Sequence, residues 1–478
     1  MSQPATTEQP TLRRVMGPGL LLLFVVGDIL GTGVYALTGQ VAKEVGGAAW
    51  LPFLLAFLIA TITAFSYLEL VTKYPQAAGA ALYAHKAFGI QFVTFLVAFV
   101  VMCSGITSAS TASRFFAVSF FDAIEKNIGT VFSWERIGTV VMALVFMALI
   151  AAVNLRGVSE SVKLNVFLTF VEITGLVIVV LVGLWAIFSG VDTDFSRVIA
   201  FDTSEEKNAF IAVTAATSLA FFAMVGFEDS VNMAEETKDP VKTFPKVLLS
   251  GLGIAGLVYV IVAIIAVALV PVGDLASADS PLVRVVEAAA PGLPFDQILP
   301  IISMFAVSNT ALINMLMASR LIYGMARQHV LPPVLGVVHP KRRTPFVAIA
   351  FTTILAFGLI FYVSAFATGN AISILGGTTS LLLLTVFAVV NVAVLVLRRD
   401  VREAGSHFKT PTALPIVGFI ASLYLVLPTS GRPAVQYFLA LALVVTGIIL
   451  FAITMVINHQ LGIRGKNVID PEHLEDAP

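Results

Sequence analysis

The chain has 478 residues, of which 58% are hydrophobic and 12% charged, and its formal net charge at pH 7 is −1. A soluble domain carries roughly 25% charged residues, so this composition excludes a soluble protein and indicates an integral membrane protein. The balanced charge gives no indication of a strongly charged binding partner. We expect the protein to contact membrane lipids and to bind no nucleic acid. The single cysteine, Cys103, excludes an internal disulfide framework. Because it lies in an apolar segment, we also expect no disulfide-linked partner unless this side chain is exposed. The six histidines show no metal-ligand spacing, and no metal site is predicted.

Apolar segments follow one another along almost the whole chain. A membrane helix needs about 20 apolar residues, and this rule predicts an all-α integral membrane protein with about twelve transmembrane helices. The predicted spans lie near residues 16–41, 49–72, 88–121, 136–154, 161–188, 209–235, 245–271, 296–327, 345–366, 371–397, 413–428 and 434–457. The first segment is too long for a signal-peptide core and is expected to be retained. Residues 281–290 are predicted to form a helix in an extracellular loop.

Two of the spans are interrupted. The first carries Gly27, Asp28, Gly31 and Gly33 within seven residues, and the sixth contains Met224 to Asp229. Freed backbone groups need partners inside a bilayer, so broken helices at this depth usually line a site. Breaks in helices 1 and 6 predict a five-plus-five inverted-repeat transporter fold.

The predicted organisation follows from that repeat. It consists of a tail at 1–14, a first repeat at 15–190, a second repeat at 208–398, two further spans at 412–458, and a tail at 459–478. Lys and Arg are concentrated in the segments on the side of the N-terminus, which predicts that both tails are cytoplasmic. The expected location is a bacterial inner membrane, crossed many times.

The two half-helix ends at the first break have opposite electrostatic character, which suits a ligand with both a negative and a positive group. A half-helix beginning near Gly33 presents unpaired N–H groups, which suit a carboxylate. A half-helix ending near Ile29 presents free carbonyl groups, which suit an ammonium group or a cation. The alternative is that the glycines only allow close helix packing, although packing does not explain Asp28.

Buried carboxyl groups are the candidates for coupling or selectivity. Asp28 lies about 16 Å into its span at 1.5 Å per residue. Its carboxyl group either binds a cationic substrate group or a proton, or makes a fixed contact at a helix end or a gate. Glu172 in the fifth span is either a proton-coupling group or a neutral glutamic acid bonded to a neighbouring helix. For Glu228 and Asp229, we expect one to face the site and the other the cytoplasmic side.

Three other polar residues leave alternatives open. Glu69, with Lys73 four residues later, is either part of a paired inner gate or a plain salt bridge. Ser308 and Thr310 of the eighth span either help to bind an ion or bond their own helix backbone, as hydroxyls in membrane helices usually do.

The sequence contains no Walker motif and no catalytic triad, so an enzyme is not expected.

The motifs together resemble the amino acid–polyamine–organocation (APC) superfamily of permeases, and in particular bacterial amino acid transporters akin to the cationic amino acid transporters. The resemblance covers most of the chain in the right order. It is carried by Gly31 to Gly39, Tyr67 to Leu70 with Pro75, Gly79 and Tyr83-Ala84, Phe221 to Phe227 with Ala234 to Glu236 and Pro240, and Ser319-Arg320, Met325 to Arg327, Leu331-Pro332 and Thr344-Pro345.

The resemblance implies a substrate site at the two breaks. The substrate carboxylate would meet N–H groups near Gly31, Thr32 and Gly33. Its amino group would meet carbonyl groups of Ile29 and of the stretch that contains Phe222, Ala223 and Val225. Phe222 or Phe227 would serve as a lid.

Two departures from the family pattern bear on the coupling ion and the substrate. Glu172 stands where several proton-coupled relatives have a lysine, so both proton and sodium coupling stay open. Asp28 and Glu228 stand where many relatives have apolar or small residues, and the added acid would favour arginine, lysine, ornithine or a polyamine.

The predicted function is therefore a secondary active transporter that imports amino acids by alternating access, with protons, or alternatively Na⁺, as coupling ion and no other cofactor. An amino acid or polyamine exchanger is the alternative within the same class. A nutrient receptor that binds without transporting is less favoured, because the loops and tails contain no signalling domain.

Overall fold

The computed structural model describes residues 16–76, 79–129, 135–191, 193–203, 207–234, 236–367, 369–399 and 407–460. The predicted N-terminal tail and residues 461–478 of the predicted C-terminal tail lie outside these ranges, as does Glu235 of the sixth-span motif.

The described chain is helical, and it contains seventeen α-helices. These are α1 (Pro18–Ile29), α2 (Thr32–Val45), α3 (Trp50–Lys73), α4 (Gly79–Phe88), α5 (Gln91–Ile128), α6 (Glu135–Arg156), α7 (Val158–Phe188), α8 (Ser196–Ile199), α9 (Ala209–Ala220), α10 (Pro240–Leu269), α11 (Val272–Ser277), α12 (Pro281–Ala289), α13 (Phe295–Arg327), α14 (Phe346–Phe366), α15 (Ala371–Leu397), α16 (Ala413–Val426) and α17 (Ala434–Gln460).

The number of membrane spans agrees with the expectation. Eleven spans within the described residues are long and apolar enough to cross a membrane, and the fourteen-residue α16 supplies a shorter twelfth. The fold is thus that of an all-α, multi-span membrane protein. Span 1 combines α1 and α2, and span 6 combines α9 with the turns that follow it. The bounds differ most in span 3, where α5 has 38 residues and continues to Ile128 instead of ending near 121.

The first span breaks where the glycines predicted it. Helix α1 ends at Ile29 and α2 begins at Thr32, so that only Leu30 and Gly31 separate them. The N–H of Leu30 still bonds to the carbonyl of Val26 at 2.9 Å, which closes the last turn of α1.

Span 6 is interrupted over a longer stretch. After α9, a 3₁₀ turn covers Phe221–Met224, Val225 is extended, and a second 3₁₀ turn covers Asp229–Met233. Gly226 between the two turns has φ of +124°. Residues with a side chain rarely adopt this conformation, so glycine is required at this position.

The two interruptions pack directly against each other. A Cβ atom on Gly33 would lie 2.4 Å from the Cα of Ala223, and one on Gly226 would lie 2.8 Å from the backbone of Asp28. Such distances leave no room for a side chain, so these glycines bring the two broken backbones into contact.

Both ends of the broken spans are covered. At the end where span 1 begins, the N–H of Met16 bonds to Glu236 at 3.0 Å, and the N–H of Lys238 bonds back to Met16 at 2.9 Å. At the opposite end, the Gln40 amide on α2 donates to the carbonyl of Ala276 at 3.2 Å. Span 1 is therefore held to neighbouring segments near both of its ends.

The predicted pairing of Glu69 with Lys73 is wrong. Glu69 on α3 pairs instead with Arg398 beyond the end of α15, with Nη2 to Oε2 at 2.6 Å and Nε to Oε1 at 2.8 Å. The Lys73 ammonium donates to the carbonyl of Leu397 at 2.7 Å. The planar guanidinium can bond both oxygens of a carboxylate at once, which a lysine cannot.

Candidate functional site

A small cavity lies where the two interruptions meet, and we call it the central cavity. Its volume is about 10 Å³, close to the room that one water molecule needs. It is lined by Asp28, Ile29, Gly31, Thr32, Gly33, Ser108, Phe222, Val225, Gly226, Asp229, Thr310 and Asn314. Spans 1, 3, 6 and 8 all contribute to its wall.

The start of α2 forms the electropositive side of the central cavity. No described side chain caps this helix, whose N-cap position is Gly31. The first N–H groups of a helix lack partners within the helix, and the helix dipole adds positive potential there. Because Thr32 and Gly33 both line the cavity, a carboxylate in it would face these groups.

The end of α1 forms the opposite side. The Tyr259 hydroxyl on α10 donates to the carbonyl of Ile29. A carbonyl oxygen has two lone pairs, so Ile29 can still accept one further hydrogen bond. The end of α1 is thus anchored to α10 and keeps limited capacity for an ammonium group.

Three polar atoms around the central cavity are buried without a hydrogen-bond partner among the described residues. They are Oδ2 of Asp28, Oγ1 of Thr32 and Oγ1 of Thr310. Buried polar atoms almost always have partners, so this group of atoms indicates a place for a polar ligand. The neighbouring hydroxyl of Ser308, in contrast, donates to its own helix at Met304, 2.6 Å away.

The aromatic and small residues predicted for the site take three different positions relative to the central cavity. Phe222 and Val225 line the central cavity. Ala223 lies immediately behind it, against Gly33. Phe227 lies away from it in an aromatic cluster, with its ring centroid 5.2 Å from that of Phe387. Of the two lid candidates, only Phe222 borders the cavity.

The predicted carboxyl groups also take different positions. Asp28 and Asp229 line the central cavity, and among its lining residues they are the only ones that can ionise. Glu228 does not line it. Instead, the Glu228 carboxyl accepts the N–H of Gly226 at 3.0 Å and borders a separate small cavity with Asn232.

Glu172 lies on α7, outside the central cavity, and is completely buried. Neither of its carboxyl oxygens has a hydrogen-bond partner among the described residues. Its backbone carbonyl accepts the hydroxyl of Tyr35 at 3.1 Å, and the side chain of Asn309 faces its carboxyl group. A buried carboxyl group without a cation must be neutralised by a proton or by a bound ion.

Sequence reasoning did not identify Ser108, Tyr259, Asn309 and Asn314. The asparagines carried a usable signal, because amide groups are costly inside apolar helices and usually serve a function there. Tyr259 carried no such signal, since its contact with Ile29 spans 230 residues.

Eleven apolar spans and a shorter twelfth among the described residues, with two helices interrupted beside a small polar cavity, define a membrane transporter. The sequence of residues 21–452 matches the amino acid permease family, and the chain belongs to this family. The protein is accordingly a transporter of the amino acid permease type, and it is not an enzyme.

The chain is similar to several named members of the same group. It is 27% identical over 431 residues to the methylthioribose transporter of Bacillus subtilis (strain 168), which covers 87% of this chain and 88% of that protein. It is 26% identical to the branched-chain amino acid permease BcaP of the same organism, with 88% of each chain covered. It is 28% identical to the chloroplastic cationic amino acid transporter 9 of Arabidopsis thaliana, over 71% of this chain and 61% of that protein.

Proposed function

We propose that this permease imports amino acids across a bacterial inner membrane by alternating access, with both termini cytoplasmic and with uptake coupled to protons. The observation that carries this proposal is the central cavity. It combines an uncapped helix start with the unpartnered carboxyl oxygen of Asp28. One amino acid can satisfy both features, since it carries a carboxylate and an ammonium group on the same carbon.

The charges of the cavity dictate the orientation of the substrate. The carboxylate accepts hydrogen bonds from the N–H groups of Thr32 and Gly33, where the dipole of α2 favours an anion. The ammonium group lies toward Ile29 and Asp28. A carboxylate in the opposite orientation would meet Asp28 and Asp229, and like charges at that distance repel.

Substrate entry requires the walls of the cavity to separate. The present volume of about 10 Å³ admits water but no amino acid. The backbones of Gly33 and Ala223 are already in contact, so a change of side-chain rotamer cannot supply all of the space. The half-helices themselves move, and Phe222 is the side chain that covers the substrate.

Coupling to protons is assigned to Glu172, with Asp28 next to the substrate. Glu172 is buried with no described partner for its carboxyl oxygens, and Asp28 is close enough to interact with it electrostatically. A proton on one of these groups neutralises a charge that the membrane interior disfavours. Sodium is the alternative ion, because carboxylate and hydroxyl oxygens also suit a hard cation.

The two acidic side chains at the central cavity favour a cationic substrate, such as arginine, lysine, ornithine or a polyamine. The names of the relatives point in different directions, since one is a branched-chain amino acid permease and another a cationic amino acid transporter. A test of substrate must therefore include both chemistries.

The experiment is uptake of labelled alanine, leucine and arginine into proteoliposomes with an alkaline interior and no sodium. We expect accumulation that a protonophore abolishes, with arginine preferred. Glu172→Gln should remove the dependence on the pH gradient. Thr174→Val is the matched control on α7, since that hydroxyl bonds only its own helix at Phe170.

Four results would contradict the proposal or part of it. Accumulation only with sodium would reassign the coupling ion, and uptake only into vesicles preloaded with substrate would indicate an exchanger. Saturable binding without accumulation under any gradient would indicate a receptor. Full pH-driven uptake by Glu172→Gln would remove that residue from the coupling mechanism.

A further inference from the structure

A second cavity lies at the end of the bundle where span 1 begins, and we call it the inner pocket. Its volume is about 240 Å³, and it is formed by α1, α7, α13 and the turn after the second interruption. Its walls are mostly apolar. The polar side chains that line it are Asn165, Glu236 and Arg320.

One of these polar side chains connects the inner pocket to the interior. The amide of Asn165 on α7 donates to Oδ1 of Asn309 on α13 at 2.6 Å. The amide of Asn309 donates in turn to Oγ1 of Thr169 at 3.1 Å, and Asn309 is completely buried. Thr169 and Glu172 are three residues apart on α7 and therefore lie on the same face of that helix. Because Asn309 bonds Thr169 on this face and also interacts with the carboxyl group of Glu172, the asparagine pair formed by Asn165 and Asn309 leads from that carboxyl to the inner pocket.

The other groups that face Glu172 lie on different elements. Asp28 of α1 connects it with the central cavity, and the hydroxyls of Tyr35 on α2 and Tyr259 on α10 lie near it as well. The carboxyl of Glu172 therefore has one acidic neighbour toward the substrate and the asparagine pair toward the inner pocket. This two-sided environment is what a group that takes up and releases one proton requires.

We propose that Asn165 and Asn309 line the route by which Glu172 releases its proton to the cytoplasm, a proposal that rests on proton coupling through Glu172. In this step the O–H bond of the Glu172 carboxyl breaks, water accepts the proton, and the carboxylate remains. The amides donate and accept hydrogen bonds to this water, and they do not themselves take up the proton. They are positioning residues, and the inner pocket is the exit.

The test uses Asn165→Leu in the full-length protein, because this change removes the polar group at the mouth of the route and keeps a similar volume. Initial uptake is measured at one external pH while the internal pH is varied. We expect net uptake to lose its dependence on internal pH and to fall by about tenfold, which is less than the ~10²–10⁴-fold contributed by a side chain that itself transfers the proton.

A second measurement separates this effect from a structural one. The second assay is exchange of labelled against unlabelled substrate at equal pH on both sides. During exchange the transporter can change conformation with its proton still bound, so proton release is not needed and Asn165→Leu should keep this activity. Asn165→Ser, which places a hydroxyl where the amide was, should retain part of the internal-pH dependence, and Thr174→Val should behave as wild type. If Asn165→Leu does not fold, Asn165→Ala with the same two assays takes its place.

The outcomes are distinguishable. If the wild type responds to internal pH and Asn165→Leu responds equally, the route is elsewhere and the proposed function stands. If Asn165→Leu loses exchange together with net uptake, its role is structural and the route is again refuted. If the wild type shows no pH-driven uptake, both the route and the proton coupling are overturned.

Discussion

Replacing Arg398 with methionine is expected to destabilise the protein by about 3 kcal/mol, the lower end of the range for breaking a buried ion pair. The Glu69 side chain is only 3% exposed, and Arg398 bonds both of its oxygens. Once the guanidinium is lost, the N–H of Thr410 at 2.8 Å is the remaining hydrogen bond to the carboxylate in the described structure. Because Arg398 itself is 22% exposed, water can reach the gap, which is why we take the lower end.

The double substitution Glu69→Met with Arg398→Met should be less harmful than the single one. It removes the buried charge together with its partner, and the Thr410 N–H that loses its acceptor costs about 1–3 kcal/mol. Thermal unfolding in detergent measures the difference, at roughly 2 °C per kcal/mol for a chain of this size. We expect a loss of about 6 °C for the single variant.

The pairing would be refuted as a buried ion pair if Arg398→Met left the unfolding temperature unchanged, or if the double variant lost as much as the sum of both singles. The glutamate also raises the pKa of Arg398 above its usual range. The arginine therefore remains charged at every pH of a practical assay, and alkaline conditions should not weaken the pair. Retained uptake by the double variant would show that the ion pair between Glu69 and Arg398 stabilises the fold and does not act as a gate.

Two further predictions concern the second interruption and the ion pair between α12 and the end of α5. Gly226→Ala should cost about 1–3 kcal/mol of backbone strain and abolish uptake, whereas Gly253→Ala, which has open space around it, should transport normally; equal uptake by both would refute the conformational argument. Partial burial disfavours the charge on Glu287, but hydrogen bonds from Lys126 and Arg284 outweigh it and hold the pKa of Glu287 below its usual range. The stabilisation by the Glu287 carboxylate is thus present at neutral pH and lost as the pH falls through that lowered pKa. Glu287→Gln should therefore cost at most about 1 kcal/mol at pH 7. The difference in unfolding temperature should begin to shrink near the ordinary glutamate pKa of about 4.3 and close as the pH falls through the lowered one.

The positions of both interruptions could be predicted because they depend on local sequence. Glycines and carboxylates inside an apolar segment are costly, and their presence marks a place where the helix opens. The break between Ile29 and Thr32 and the one around Gly226 fall where this reasoning placed them. The helix at Pro281–Ala289 was likewise visible as a short apolar pattern.

The contacts between distant segments could not be predicted in this way. The partner of Glu69 is 329 residues away, and a nearer lysine offered a simpler choice. Which of Glu228 and Asp229 faces the central cavity depends on the turn that Gly226 makes, and composition does not reveal that turn. The sequence therefore predicted only that one of these two adjacent carboxyl groups faces the site. The backbone conformation determines that it is the second one.

The direct backbone contact between the two interruptions offers a way for binding in the central cavity to act on the end of the bundle where span 1 begins. Gly33 and Ala223 touch without an intervening side chain, as do Gly226 and Asp28. In the transport cycle proposed above, a ligand that enters the central cavity would therefore displace whole half-helices. Helix α1 is joined at its start, through Met16, to the segment around Lys238. Because packed helices shift between discrete arrangements instead of deforming continuously, separation at the breaks and opening at that end would become one event, which is the behaviour that the proposed alternating access requires.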